Sequence, residues 1–179
     1  MTSDEILNTI DFIGGETSKN LKIDYLAEFI AEDEEFERVL KAAYDPYVRY
    51  YLKTVEMQDG GIGIFSSEGV WDLLDKLSKR LISGDAARDA VWKLNLNRES
   101  VELFRRILQK DLKAGFDIKS INRSLKKAER PLLPVVGYMR CSLPKAVKLE
   151  EWPWEEGVYS QIKADGTFCN IRKTGLQTR

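Results

Sequence analysis

Proline limits helix length more sharply than any other residue, and it is unevenly placed in this chain. Of five prolines, Pro46 lies in the first 130 residues, while Pro131, Pro134, Pro144 and Pro153 crowd the remainder. Each proline removes a helical hydrogen bond and clashes with the preceding turn. Long helices are therefore open to the first part of the chain and closed to the second. Apolar residues at helical spacing fill that first part. Thr2 and Glu5 form a capping box ahead of Ile6, Leu7, Ile10 and Ile13, with Gly14-Gly15 as the stop. Ser18 caps a second helix carrying Leu21, Tyr25, Leu26, Phe29 and Ile30. A third presents Phe36, Val39, Leu40 and Ala43 up to Asp45-Pro46, and Tyr47 to Lys53 continues as another. Ser66 or Ser67 opens a helix with Val70, Trp71, Leu74, Leu77 and Leu81, closed at Gly84. Ala87, Val91 and Leu94 mark the next. A further helix runs from Arg98 to Lys113 with Gly115 as its C-terminal cap, and a last one from Ile118 to Lys127.

After Arg130 the pattern changes. "LLPVVGYM" is extended, and Gly157 to Ile162 and Thr167 to Arg172 read as a strand pair around a Lys-x-Asp-Gly turn. The expected fold is mainly α: a helical domain over residues 1–130, then a linker and the first strands of an incomplete domain over 131–179. Two or three strands are at best marginally stable alone, so the tail needs further structure to complete it.

The chain has no histidine. That excludes Ser-His-Asp and Cys-His catalysis and the usual zinc sites. Any catalysis rests on Lys, Arg, Asp, Glu or a metal held by oxygen ligands, and no metal-ligand pattern stands out. Cys141 and Cys169 are too few for a disulfide scaffold. No apolar run approaches the roughly 20 residues of a membrane span. Met1 to Glu5 lacks the basic region of a secretory signal. The expectation is a cytoplasmic protein with no membrane partner.

Net charge is −1, but the signs are segregated. Glu32, Asp33, Glu34, Glu35 and Glu37 form an acidic run, while Val101 to Arg130 is dominated by cations. Such asymmetry points to a polyanion-binding face. Arg106, Lys110 and Lys113 recur at helical spacing and read as one exposed face. Gly115 permits close backbone approach, and the amides from Asp117 to Ser120, beside Lys119, offer a phosphate site at a helix start. A merely solvated basic face is the competing reading. Nothing here reads bases, so nucleic-acid contact would be backbone-directed and salt-sensitive. "QDGGIGIF" has phosphate-loop glycines but no following Lys-Ser/Thr, and reads as a plain loop.

"QIKADG", with a strand before it and a strand after, is short, but the blocks upstream of it extend the pattern. "YDPYVRYYLK", "VWDLLDKLSKRLISGDAA" and "VELFRRILQKDLKAGFDIKSIN" stand in order along the helical part. Together they resemble the ATP-dependent DNA ligases of the T-even bacteriophage type, which join an all-helical DNA-binding domain to a nucleotidyltransferase domain. Lys-x-Asp-Gly alone is shared with RNA ligases and capping enzymes, and the helical blocks favour DNA ligase. The resemblance implies that Lys163 attacks the α-phosphate of ATP and becomes a lysyl-adenylate, with Mg²⁺ as cofactor. Gln161 and Ile162 match adenine-pocket positions, and Asp165 and Gly166 complete the motif. Thr178-Arg179 resembles the next motif, with Arg179 on the nucleotide. Arg106, Lys110, Lys113, Gly115 and Lys119 would lie on the phosphates of nicked duplex DNA. Phe168 stands where the family often has arginine. The later motifs are absent, so the expectation is an N-terminal part or split subunit, inactive alone and completed by a second polypeptide. A non-catalytic duplex-binding module and an RNA-ligase or capping-enzyme relative are the alternatives.

Overall fold

The structure is a computed structural model that describes residues 1–52, 61–135, 150, 154–156, 169–172 and 175–178. The chain divides into two compact units, Met1–Val135 and Val136–Arg179.

The first unit is all-helical among its described residues: α1 (Ser3–Gly15), α2 (Lys19–Glu32), α3 (Glu34–Tyr44), α4 (Glu68–Ser78), α5 (Gly84–Lys93), α6 (Arg98–Leu108) and α7 (Ile118–Lys127). Five of these seven helix starts follow side-chain chemistry, while Ser67 and Ser83 stand at the starts of α4 and α5 without a side-chain capping hydrogen bond. Thr2 and Glu5 form the expected capping box on α1, Ser18 accepts from the Leu21 amide on α2, and Asp33 accepts from the Phe36 amide on α3. Asn97 and Asp117 do the same for α6 and α7.

Packing puts α2 along α7, α1 against α6, and α3 against both α2 and α6. The core between them is apolar, with Ile10, Leu26, Ile30, Phe36, Leu40, Phe65, Phe104 and Ile107 fully buried. Its few buried hydroxyls are paired. The Phe65 amide donates to Ser100 Oγ at 2.9 Å, and the hydroxyls of Ser3 and Ser100 lie 2.8 Å apart. The Ser124 hydroxyl of α7 donates to the Ile23 carbonyl of α2 at 3.0 Å.

Several expectations change. Tyr47 to Leu52 is not helical: the Tyr47 amide donates to Asp45 Oδ1 at 2.9 Å, an Asx turn at Pro46 that redirects the chain. Tyr50 then folds inward and donates to the Ala42 carbonyl. Leu81 is not a core residue; it is 68% exposed, because α4 ends at Ser78 and Gly84 begins α5 instead of closing α4. The glycine-rich segment is a loop of a particular kind. Gly63 donates to and accepts from the 95–97 backbone, forming a parallel bridge opposite Leu96. A Cβ on Gly61 or Gly63 would lie 2.0 or 2.6 Å from the carbonyl oxygens of Asn95 and Leu94. Only glycine allows that approach.

In the second unit, a short 3₁₀ turn spans Trp154–Glu156. β1 (Cys169–Arg172) and β2 (Gly175–Thr178) pair antiparallel, Cys169 opposite Thr178 and Arg172 opposite Gly175. β1 falls within the segment Thr167–Arg172 expected to be extended, and among the described residues it pairs with β2, which follows it in the chain. The proposed earlier partner, Gly157–Ile162, lies outside the described residues.

Candidate nucleic-acid interface

Arg106, Lys110 and Lys113 are expected on one face of a single helix running from Arg98 to Lys113. The structure breaks that helix. α6 stops at Leu108, and Lys110 turns into the left-handed region at φ 60°. The Asp111 amide donates back to the Arg106 carbonyl at 3.1 Å, and the Lys110 amide to Ile107 at 3.0 Å. This is a Schellman closure with lysine where glycine is usual. Lys113 and Gly115 are also left-handed, at φ 57° and 68°. Arg106, Lys110 and Lys113 therefore do not share an exposed face, since the spacing that links them spans a helix end.

Each has its own surroundings. The Arg106 side chain is only 11% exposed. Its Nη1 donates to Asp11 Oδ1 at 2.6 Å and to the Leu112 carbonyl at 3.1 Å, and its Nε to Glu102 Oε1 at 2.9 Å. Lys113 reaches the same Glu102 oxygen at 3.3 Å. Burial works to raise the Glu102 carboxyl, but Arg106 and Lys113 outweigh it and hold it below its ordinary value. Lys110 is half-buried and donates to the carbonyls of Ala42 and Asp45 at 2.9 and 2.8 Å, with the Tyr50 ring 5.6 Å away. Burial pushes its ammonium down to about 8. Arg106 and Lys110 thus fix the 109–117 loop onto α1 and α3 rather than facing solvent.

The start of α7 also differs from the phosphate site expected there. Asp117 caps the helix, accepting from the Ser120 amide at 2.6 Å. Hydrogen bonds from Ser120 hold the Asp117 carboxyl below its ordinary value. The helix start already carries its own anion, which disfavours a second. Gly115 approaches Lys22, whose ammonium donates to the carbonyls of Gly14 and Ala114 at 3.0 and 3.2 Å.

The solvent-facing cations lie further along α7. Lys119, Arg123 and Lys126 are exposed, recur at spacings of four and three, and have no ion pair among the described residues. Lys127 is exposed beside them but paired with Asp24. The helix contains no acidic residue. Arg123, Lys126 and Lys127 border a shallow recess of about 460 Å³ with Asn20 and Ile23 of α2. Three unpaired cations rising along one helix suit the phosphates of a nucleic-acid backbone. Lys119 was a sequence candidate; Arg123 and Lys126 were not singled out. Their signal was present as the same helical spacing, within the one helix that continues unbroken.

Lys163, Gln161, Ile162, Asp165, Gly166 and Arg179 lie outside the described residues, as does Phe168. Among the described residues no group of three or more Cys, Asp or Glu side chains could hold a metal ion.

No family model matches the chain. It is 25% identical over 173 residues to the DNA ligase of Enterobacteria phage T4, covering 92% of this chain and 33% of the relative. The DNA ligase of Enterobacteria phage T6 gives the same figures. The fold matches the solved structure named Pmar-Lig_PreS3 with a TM-score of 0.62 at 26% identity, over 75% of this chain and 32% of that one. Pmar-Lig_Pre matches with 0.61 at 25% identity, over 75% of this chain and 31% of that one. The chain spans about a third of the length of the relatives it matches. The resemblance read from the helical blocks and the Lys-x-Asp-Gly turn is thus a distant homology, and this chain is related to one third of a T-even phage DNA ligase.

Proposed function

We propose that the chain is the DNA-gripping part, with the start of the nucleotidyltransferase domain, of an ATP-dependent DNA ligase that seals nicks in duplex DNA. The observation that carries this reading is likeness at two levels over one stretch: 25% identity across 92% of the chain, and a TM-score of 0.62 across 75% of it. In this reading the unit Met1–Val135 holds the duplex. Lys119, Arg123 and Lys126 take backbone phosphates, with Lys113 at the side. Arg106, Lys110 and Gly115 shape the loop that positions Lys113 and α7.

Lys163 is the proposed nucleophile. Its neutral amine forms a bond to the α-phosphorus of ATP, the bond to pyrophosphate breaks, and the amine proton passes to solvent. A lysine of ordinary pKa, about 10.4, needs nearby positive charge to react this way, which Mg²⁺ supplies when bound. Gln161, Ile162, Asp165, Gly166 and Arg179 complete the proposed nucleotide contacts. In this proposal nick sealing needs these residues together with the remaining ligase motifs, since the chain spans about a third of the ligases it matches.

Two experiments test it. Incubating the chain with a polypeptide carrying the remaining motifs and ATP labelled at the α-phosphate is expected to label this chain, and Lys163→Ala to abolish the label. Equal labelling of the variant removes the nucleophile assignment. Absence of label in any mixture, with duplex binding intact, favours a non-catalytic module. Preference for RNA ends over nicked duplex favours the RNA-ligase or capping-enzyme relation. Separately, K119E/R123E/K126E is expected to weaken duplex binding at least tenfold and to flatten the plot of log affinity against log salt by about 2–3. An unchanged slope would sink the α7 assignment.

A further inference from the structure

A second cationic feature lies apart from α7. The ends of α4 and α6 converge with the segment 49–52 around a groove of about 990 Å³. Arg49, Tyr51, Arg80, Gln109 and Lys110 line it, and no carboxylate does among the described residues. The Arg49 guanidinium is exposed and has no ion pair among the described residues. Arg80 lies over the Tyr51 ring, 4.3 Å from its centroid, and Tyr51 is 58% exposed as a residue. A cation-bearing wall with an accessible aromatic face is the chemistry of a nucleotide with its base unstacked. A duplex backbone, with its bases paired inside, uses only the cations.

The backbone strengthens the case. Six non-glycine residues are left-handed among the described residues, and Tyr51, Arg80 and Lys110 are three of them, at φ 56°, 56° and 60°. Arg80 and Lys110 each close a helix in the Schellman position, where glycine is free of the Cβ clash. Strain of this kind gathers at ligand-binding sites. Here three strained positions carry two cations and an aromatic ring into one groove.

We propose that this groove takes one unpaired nucleotide of a DNA strand, its phosphate on Arg49 and Arg80 and its base on the Tyr51 ring. The proposal rests on the DNA-binding reading above and extends it from duplex to strands with a frayed or displaced nucleotide. Lys110, held by the Ala42 and Asp45 carbonyls, contributes charge to the wall rather than a direct contact.

Glycine substitution separates binding from folding, because Arg80→Gly and Tyr51→Gly remove the side chain and relieve the strain together. Affinities of the full chain for labelled oligo-dT, for nicked duplex and for free AMP are measured alongside thermal melting. The proposal expects both variants to melt at or above the wild-type temperature, to lose roughly tenfold in oligo-dT affinity, and to keep duplex affinity. Wild-type oligo-dT affinity in Arg80→Gly overturns it, as does equal loss on oligo-dT and duplex. AMP binding as tight as oligo-dT also overturns it, by assigning the groove to a free nucleotide. Duplex binding that depends on K119E/R123E/K126E while oligo-dT binding is absent would overturn this inference and leave the α7 reading standing. Oligo-dT binding without duplex binding does the reverse.

Discussion

Lys110 serves two helix ends at once. Its backbone closes α6 in the left-handed conformation, and its ammonium hydrogen-bonds carbonyls at the C-terminal end of α3. A cation is favourable there, where the helix dipole is negative. Burial nevertheless lowers its pKa from 10.5 to about 8, so the folded state binds the proton less tightly than the unfolded chain. Below pH 8 both states are charged and the burial cost is present in full. Between about 8 and 10.5 the unfolded chain holds the proton more often, and this group's contribution to stability rises with pH. Lys110→Met is expected to lose roughly 1–2 kcal/mol at neutral pH by leaving two carbonyls unpartnered. It should also show a flatter rise in stability than wild type from pH 8 to 10, measured by urea unfolding. Parallel curves for the two proteins would refute the assignment. None of this was visible in the sequence, where Lys110 looked like one cation of a solvent-facing row. A three-four spacing says which residues share a face only while the helix lasts.

Helix starts were more legible than helix stops. Thr2 and Ser18 cap by a side-chain oxygen at a fixed offset, which the sequence displays directly, whereas Ser67 stands at the start of α4 without a side-chain capping hydrogen bond. The core of α3, with Phe36, Val39, Leu40 and Ala43 all buried, follows from spacing alone. Stops at Arg80, Lys110 and Glu129 use left-handed charged residues, and nothing about a charged residue announces that conformation. Gly84 was misread for the complementary reason: a glycine tolerates a helix start as readily as an end. The glycine-rich loop illustrates a third limit. Its role depends on the 94–96 backbone, a partner distant in sequence. Gly63→Ala would place a Cβ 2.6 Å from the Leu94 carbonyl oxygen and is expected to cost roughly 1–3 kcal/mol in chemical denaturation. Gly69→Ala, with open space around it in α4, should be neutral or stabilising by up to about 1 kcal/mol. Equal effects at the two sites would remove the close-approach argument. As for the candidate site, its region was legible and its residues only partly so, because charge density survives a wrong helix boundary whereas the exposed face does not.

At the scale of the molecule, the acidic run is largely turned to structure. Asp33 pairs with the Met1 ammonium and caps α3, Glu35 accepts from the Trp71 indole at 2.8 Å, and buried Glu37 pairs with Lys41 and Arg130. The unit Met1–Val135 has its own apolar core, so a fragment of residues 1–135 is expected to melt in one cooperative step and to keep the duplex affinity of the full chain. A broad, non-cooperative melt would show that it depends on the second unit. The uncompensated row on α7 has a further consequence. A formal charge of −1 describes the molecule only from far away, and beyond a Debye length of about 8–10 Å that small net value is nearly silent. Close to a polyanion, the local sign decides. The protein should therefore behave as two different ions: hardly retained on a weak anion exchanger at neutral pH, yet held on immobilised heparin and released by moderate salt. The unit Met1–Val135 should therefore meet a negatively charged surface by its cationic faces, α7 among them, and not in random orientations.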